Sequence, residues 1–167
     1  MHIRSRWRQT AAGTAVLVAV AFLSASASVG QARALAKKQR IAIEERITLG
    51  AQSGTFRLIP LTPGPLKADS GTLTYTAQQL PTVIRDGQRT ARYKGTDALT
   101  GKRGTLRIPN TTAVTDAGGG YSVGTGTWSL GRGTSTYTGL SGRGRAAVAG
   151  TPSGLIITRY EGYVSVH

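Results

Sequence analysis

Apolar and polar residues alternate with a period of two in several segments of this chain. In the segment IAIEERITL, which begins at Ile41, the isoleucine and leucine residues share one parity. Alternation of this kind predicts a β-strand with one buried face. Glu45 interrupts the pattern, because it lies at the apolar parity between Ile43 and Ile47.

Turn signals separate further strands of this type. Asp69-Ser-Gly, Arg85-Asp-Gly and Thr151-Pro-Ser-Gly each predict a turn. Residues 118–144 contain ten glycines, and each would weaken a helix by about 1 kcal/mol relative to alanine. Glycine instead marks turns and close backbone approach in β-structure. The pattern therefore predicts an all-β protein, an antiparallel barrel or sandwich of about eight strands.

The first 34 residues have the organisation of a secretory signal peptide. Three arginines precede a 13-residue apolar run at positions 11–23, which is too short to span a bilayer. Two Ala-x-Ala motifs follow, ending at Ala27 and Ala34. We predict cleavage after Ala34, a single domain over residues 35–167, and a secreted, extracytoplasmic location. A retained membrane anchor is the alternative.

The charge balance predicts anionic partners. The chain has 21 Lys and Arg against seven Asp and Glu, a net charge of +14. Such a field attracts polyanions, and outside the cell these are anionic envelope polymers, lipid headgroups or acidic polysaccharides. Nucleic acid fits the charge but not the predicted compartment. The alternative is a basic surface that has no specific partner.

The residue inventory excludes several kinds of catalytic site. Cysteine is absent, and the two histidines are His2 and His167. Nucleophilic catalysis with a central histidine and zinc binding by His or Cys are therefore not expected. The four aspartates have turn-like neighbours and predict turn roles: Asp69, Asp86, Asp97 and Asp116. No metal or cofactor is predicted.

One motif resembles a known family. WSLGRGTSTYTGLSGRG, which begins at Trp128, is similar to the glycine signature of the allene oxide cyclase-like and dirigent-like β-barrels. LIITRYEGY, from Leu155, resembles their closing strand. Ser135 stands where the family usually has glycine. The resemblance implies an up-and-down barrel of about eight strands with an inward-packed Tyr137, and it is compatible with a homo-oligomer.

The same resemblance implies a role for Glu45. Allene oxide cyclases place a glutamate on the first strand facing the cavity, and Glu45 corresponds to it, or Glu44 if the register slips. A bulge could instead turn Glu45 to solvent, or it could pair with Arg159 or Arg46. The cyclases carry further polar cavity residues, a cysteine among them, that this chain lacks, so cyclase activity is not expected.

Five aromatic residues are candidate ligand contacts in a barrel lumen, although such residues can equally form plain core: Tyr75, Tyr93, Trp128, Tyr137 and Tyr160. They favour a non-enzymatic, exported barrel that binds a small apolar or aromatic molecule. One alternative is a cyclase- or dirigent-like enzyme that steers a reactive intermediate with Glu45. The other is a basic module for adhesion to the cell envelope.

Overall fold

A computed structural model describes residues 38–167 except Asp86, together with all of their side chains except that of Arg85. The predicted signal peptide over residues 1–34 and its cleavage site lie outside the described residues. So does Asp86, for which the sequence predicts a turn role.

The described chain forms eight antiparallel strands in a closed barrel. Each strand pairs with its neighbours in sequence, and the first pairs with the last. A 3₁₀ turn, Ser135–Tyr137, interrupts the segment between the sixth and seventh strands. The strands are β1 Gln39–Thr48, β2 Ser53–Pro60, β3 Asp69–Arg85, β4 Gln88–Gly101, β5 Gly104–Gly118, β6 Tyr121–Ser129, β7 Leu140–Gly150 and β8 Leu155–Val166. The predicted all-β barrel is confirmed, and a sandwich is excluded.

The inward-facing residues of the strands form one core. Period-two alternation places β1 residues of one parity in the lumen, and aliphatic side chains from β2 to β5 meet them there. Side chains that are essentially inaccessible include Ile41, Ile43, Leu58, Leu73, Leu99, Leu106 and Ile108. The interior of an eight-stranded barrel is just wide enough to be filled by side chains, which agrees with a single core of this kind.

The two ends of the barrel differ. At one, the covered end, residues 61–68 and 130–139 form the two long connections of the barrel, and Leu66 and Tyr137 within them are buried. The Gln39 amide donates to the carbonyls of Thr62 and Leu66 and accepts from the Leu66 N–H at 2.8 Å. At the other, the turn end, connections of two to four residues join the strands.

Three details of the strands differ from what the sequence predicts. The glycines at 131, 133 and 139 predict a strand between them, but Gly133 makes only an isolated bridge to Leu106 before the 3₁₀ turn. The strand-like runs 72–77, 89–94 and 105–108 predict four to six residues each, whereas β3 to β5 have 17, 14 and 15 residues. A glycine within the last strand indicates a bulge, but Gly162 pairs regularly with both Ile41 and Gly144.

Candidate functional site

Glu45 faces the lumen of the barrel. The register of β1 is regular around it, with Phe56 on one side and Thr158 on the other. Its side chain is 1% exposed. Of the orientations that the sequence left open for Glu45, the structure therefore has the one that faces the lumen, and a bulge is excluded. The ion pair with Arg159 is made by the outward-facing Glu44 instead.

Three further polar residues surround the same part of the lumen. Asp97 comes from β4, Asn110 from β5 and Tyr160 from β8, and together with Glu45 they form what we call the lumen cluster. Asp97 Oδ2 accepts hydrogen bonds from Tyr160 Oη at 2.6 Å and from Asn110 Nδ2 at 2.7 Å. Glu45 Oε1 is buried and has no hydrogen-bond partner among the described residues.

Burial changes the acidity of both carboxyl groups. Desolvation, followed by repulsion from Asp97, raises the pKa of Glu45 well above its usual value. Desolvation raises the pKa of Asp97 to about 6, although the hydrogen bond from Tyr160 opposes the change. Burial, and then the charges of Glu45 and Asp97, raises the pKa of Tyr160, so this phenol remains a donor.

The cluster consequently favours one distribution of protons. Asp97 accepts two hydrogen bonds, which stabilise its anion, whereas Glu45 lacks comparable support. Two carboxyl groups in one low-dielectric site do not readily ionise together. Glu45 is therefore the group that stays protonated. A neutral carboxylic acid can donate one hydrogen bond and accept another.

The candidate aromatic residues fall into three positions. Tyr160 belongs to the lumen cluster, and the buried Trp128 meets it edge to face, with ring centroids 6.1 Å apart. Tyr75 lies directly opposite Asp97 and is half-buried, and Tyr93 is also half-buried on the same parity of β4. Tyr137 is at the covered end, where its hydroxyl donates to Asp69 at 2.7 Å. The structure therefore separates Tyr137 from the other four.

The turn role predicted for Asp97 was wrong, because Asp97 is a buried lumen residue within β4. The alternation that places Asp97 in a strand is present in the sequence, since Asp97 shares one parity with Tyr93 and Leu99. It is hard to recognise because glycine and aspartate, here Gly95 and Asp97, are uncommon in strands.

The turn predicted at residues 69–71 was also wrong, because these residues begin β3 and pair with β2. Asp69 instead accepts from the backbone N–H groups of the β4–β5 turn. The turn role of Asp116 is confirmed, since it accepts from the N–H of Gly118.

The cavities found in the barrel open on its outer face. The largest, of about 980 Å³, crosses β4 to β8, and two others have volumes of about 410 and 360 Å³. Glu45 and the aliphatic side chains of the lumen are instead buried. A ligand would have to reach the lumen cluster past side chains that are only half-buried, which include Tyr75, Tyr93 and Ile156.

Within the part of the chain that the structure describes, no group of three or more His, Asp or Glu could hold a metal ion. No helix in that part is long and apolar enough to cross a membrane. The fold and the site together define a small closed antiparallel β-barrel with a buried pair of carboxyl groups. No family model, no curated protein and no solved structure matches this chain.

Proposed function

We propose that this protein binds a small, largely apolar molecule in the barrel lumen and holds the polar group of that molecule through Glu45. The observation that carries the proposal is the buried, unpartnered Oε1 of Glu45. An unsatisfied buried polar atom costs about 1–3 kcal/mol, and a ligand hydroxyl or carbonyl would satisfy it. The hydrogen bond to a bound ligand would offset the free-energy cost of burying this carboxyl oxygen.

The surroundings of Glu45 support an apolar ligand with one polar end. Phe56 lies opposite Glu45 on β2, Tyr160 belongs to the same cluster, and Trp128 packs edge to face against Tyr160, so aromatic surface surrounds this part of the lumen. Aromatic walls with a few placed polar groups are typical of small-molecule sites. The resemblance to the cyclase-like and dirigent-like barrels, in which a first-strand glutamate faces the cavity, supports the same proposal.

Binding of 2-naphthol and naphthalene to the purified protein tests this function. Their affinities are measured by displacement of the neutral fluorescent probe N-phenyl-1-naphthylamine and can be compared without interference from surface charge. We expect 2-naphthol to bind about tenfold more tightly, a difference of about 1.4 kcal/mol, since only 2-naphthol can hydrogen-bond to Glu45.

Glu45→Leu should abolish the preference for 2-naphthol while retaining the binding of naphthalene. Glu44→Gln is the matched control, because it alters the neighbouring outward-facing carboxylate and should leave the preference intact. The proposal is wrong if neither compound displaces the probe, or if Glu44→Gln and Glu45→Leu have the same effect.

An enzymatic role is the second candidate, and the raised pKa values of Glu45 and Asp97 favour it. A protonated carboxyl next to an ionisable one is an arrangement suited to general acid–base chemistry. It would suit a small substrate that reacts on protonation, such as an epoxide. Ring opening of styrene oxide, followed from pH 4 to 8, should then slow at least 100-fold in Glu45→Gln. An unchanged rate would eliminate this role.

A further inference from the structure

The cavity of about 980 Å³ on the outer face of the barrel, which we call the outer groove, combines positive charge with hydroxyl groups. It crosses five strands, from β4 to β8, and Ser and Thr side chains line much of its floor. The residues that matter below are Lys94, Thr127, Ser129, Arg143, Arg145 and Tyr163.

Strand register aligns the cationic side chains of the groove. One row of paired residues crosses four neighbouring strands. It begins at Lys94 on β4, continues through Thr111 on β5 and Thr127 on β6, and ends at Arg145 on β7. These residues span three inter-strand spacings, or about 14 Å. Arg143, two residues from Arg145, lies between Ser129 and Tyr163 in the next row. The groove therefore presents positive charge at both ends of an extended path.

These cations have no acidic partner in the described part of the chain. Glu161 lies directly opposite Arg145, but it is bonded instead to Arg40 at 3.0 Å and to Arg159 at 2.8 Å. In the part of the chain that the structure describes, no ion pair involves Arg143, Arg145 or Lys94. Their charges are consequently available to an external anion.

We propose that the outer groove binds a linear acidic polysaccharide. Guanidinium groups form paired, charge-assisted hydrogen bonds with carboxylates, so Arg143 and Arg145 suit the uronate groups of such a chain. The Ser and Thr hydroxyls along the groove can exchange hydrogen bonds with sugar hydroxyls. Tyr163, which is 57% exposed, offers an aromatic face to the C–H side of a sugar ring.

Charge and shape disfavour other occupants. A second copy of this chain would bring another strongly positive surface, since the sequence has three times as many basic as acidic residues. Single-stranded nucleic acid is bound on platforms where successive bases stack on aromatic side chains, and Tyr163 is the exposed aromatic residue of this groove. The concave shape also suits a chain better than a flat anionic membrane.

Isothermal titration of the full-length protein with oligogalacturonate of about eight sugars, at pH 7 and 50 mM salt, tests the proposal. We expect binding that weakens as salt increases, and none to neutral dextran oligomers. Arg143→Gln with Arg145→Gln should weaken the affinity at least tenfold through the lost charge-assisted bonds.

A matched double variant controls for net charge. Arg46→Gln with Arg57→Gln removes two exposed, outward-facing arginines from β1 and β2, away from the groove. It should change the affinity less than threefold. An equal loss in both double variants would show that binding depends on overall charge and would overturn the assignment of the groove.

Tyr163→Ala and two alternative ligands complete the test. Tyr163→Ala should weaken oligogalacturonate binding at least threefold, and an unchanged affinity would contradict the stacking role. Tighter binding of an eight-nucleotide single strand, or of vesicles containing phosphatidylglycerol, would overturn the choice of polysaccharide. Glu45→Leu should leave oligogalacturonate binding unchanged, so the groove and the lumen proposals can fail separately.

Discussion

Ser135 is the only described residue other than glycine whose φ is positive, at 52°. It begins the 3₁₀ turn that places Tyr137 in the core. The preceding turn is also tight, because a Cβ on Gly133 would lie 2.4 Å from the carbonyl oxygen of Tyr137. The left-handed region costs a residue with a Cβ about 1–2 kcal/mol, so Ser135 carries strain that glycine would avoid.

Ser135→Gly should therefore raise the free energy of unfolding by about 0.5–1 kcal/mol, after the greater entropy loss of glycine is deducted. Urea denaturation followed by circular dichroism measures the change. Ser165→Gly, within β8 where φ is not positive, should lower the same quantity by about 0.5–1 kcal/mol. Destabilisation by Ser135→Gly would contradict the strain at this position.

At the scale of single elements, two long connections, residues 61–68 and 130–139, distinguish the covered end of the barrel from the turn end. Gln39, at the start of β1, is 1% exposed and makes three hydrogen bonds to residues 61–68. Asp69, at the start of β3, ties Tyr137 to the β4–β5 turn. Strands β1 and β3 therefore each begin with a side chain that fixes a loop at the covered end.

Gln39→Leu should lower the free energy of unfolding by about 2–3 kcal/mol, because the N–H and carbonyl of Leu66 would lose their buried partner. The comparison variant is Gln78→Leu, at an exposed position of β3, which should change it by less than about 0.5 kcal/mol. Urea midpoints for the two variants measure the difference. Equal effects would show that Gln39 does not hold the loop.

At the scale of the whole molecule, the pH dependence of stability combines opposite contributions. Although burial opposes ionisation, hydrogen bonds from Tyr137 and from backbone N–H groups hold the pKa of Asp69 below its usual value. Its contribution is present above the unfolded pKa, near 3.8, and is lost as the pH falls further. Glu45 and Asp97, whose pKa values are raised, stabilise the fold only while they are protonated.

The free energy of unfolding should therefore be greatest near pH 4 and fall by about 3 kcal/mol between pH 4 and 6, where Asp97 ionises in the unfolded chain but not in the folded protein. The raised pKa of Glu45 should extend the decrease to higher pH. Urea denaturation between pH 3 and 8 measures this profile. Glu45→Gln with Asp97→Asn should remove most of the decrease on the alkaline side. Equal stability of the unmodified protein at pH 5 and pH 8 would contradict burial of the pair.

The sequence by itself determined the fold class and placed Glu45 at the apolar parity of β1, although the regular register of β1 was needed to exclude a bulge. Both depend on local rules: period-two alternation sets which side of a strand is buried, and glycine and proline mark where strands end. The family resemblance, and not these rules, implied that Tyr137 packs inward. The local rules missed the lengths of β3 to β5, because a strand that extends beyond the core no longer has an apolar face to reveal it.

Only the tertiary structure decided which polar residues meet. Asp97, Asn110 and Tyr160 come from three strands and join Glu45 through barrel closure, which no spacing along the chain records. The outer groove has the same origin, since Lys94 and Arg145 are aligned by the register of four strands. Local alternation sets the face on which a side chain lies, whereas its neighbours on that face depend on long-range pairing.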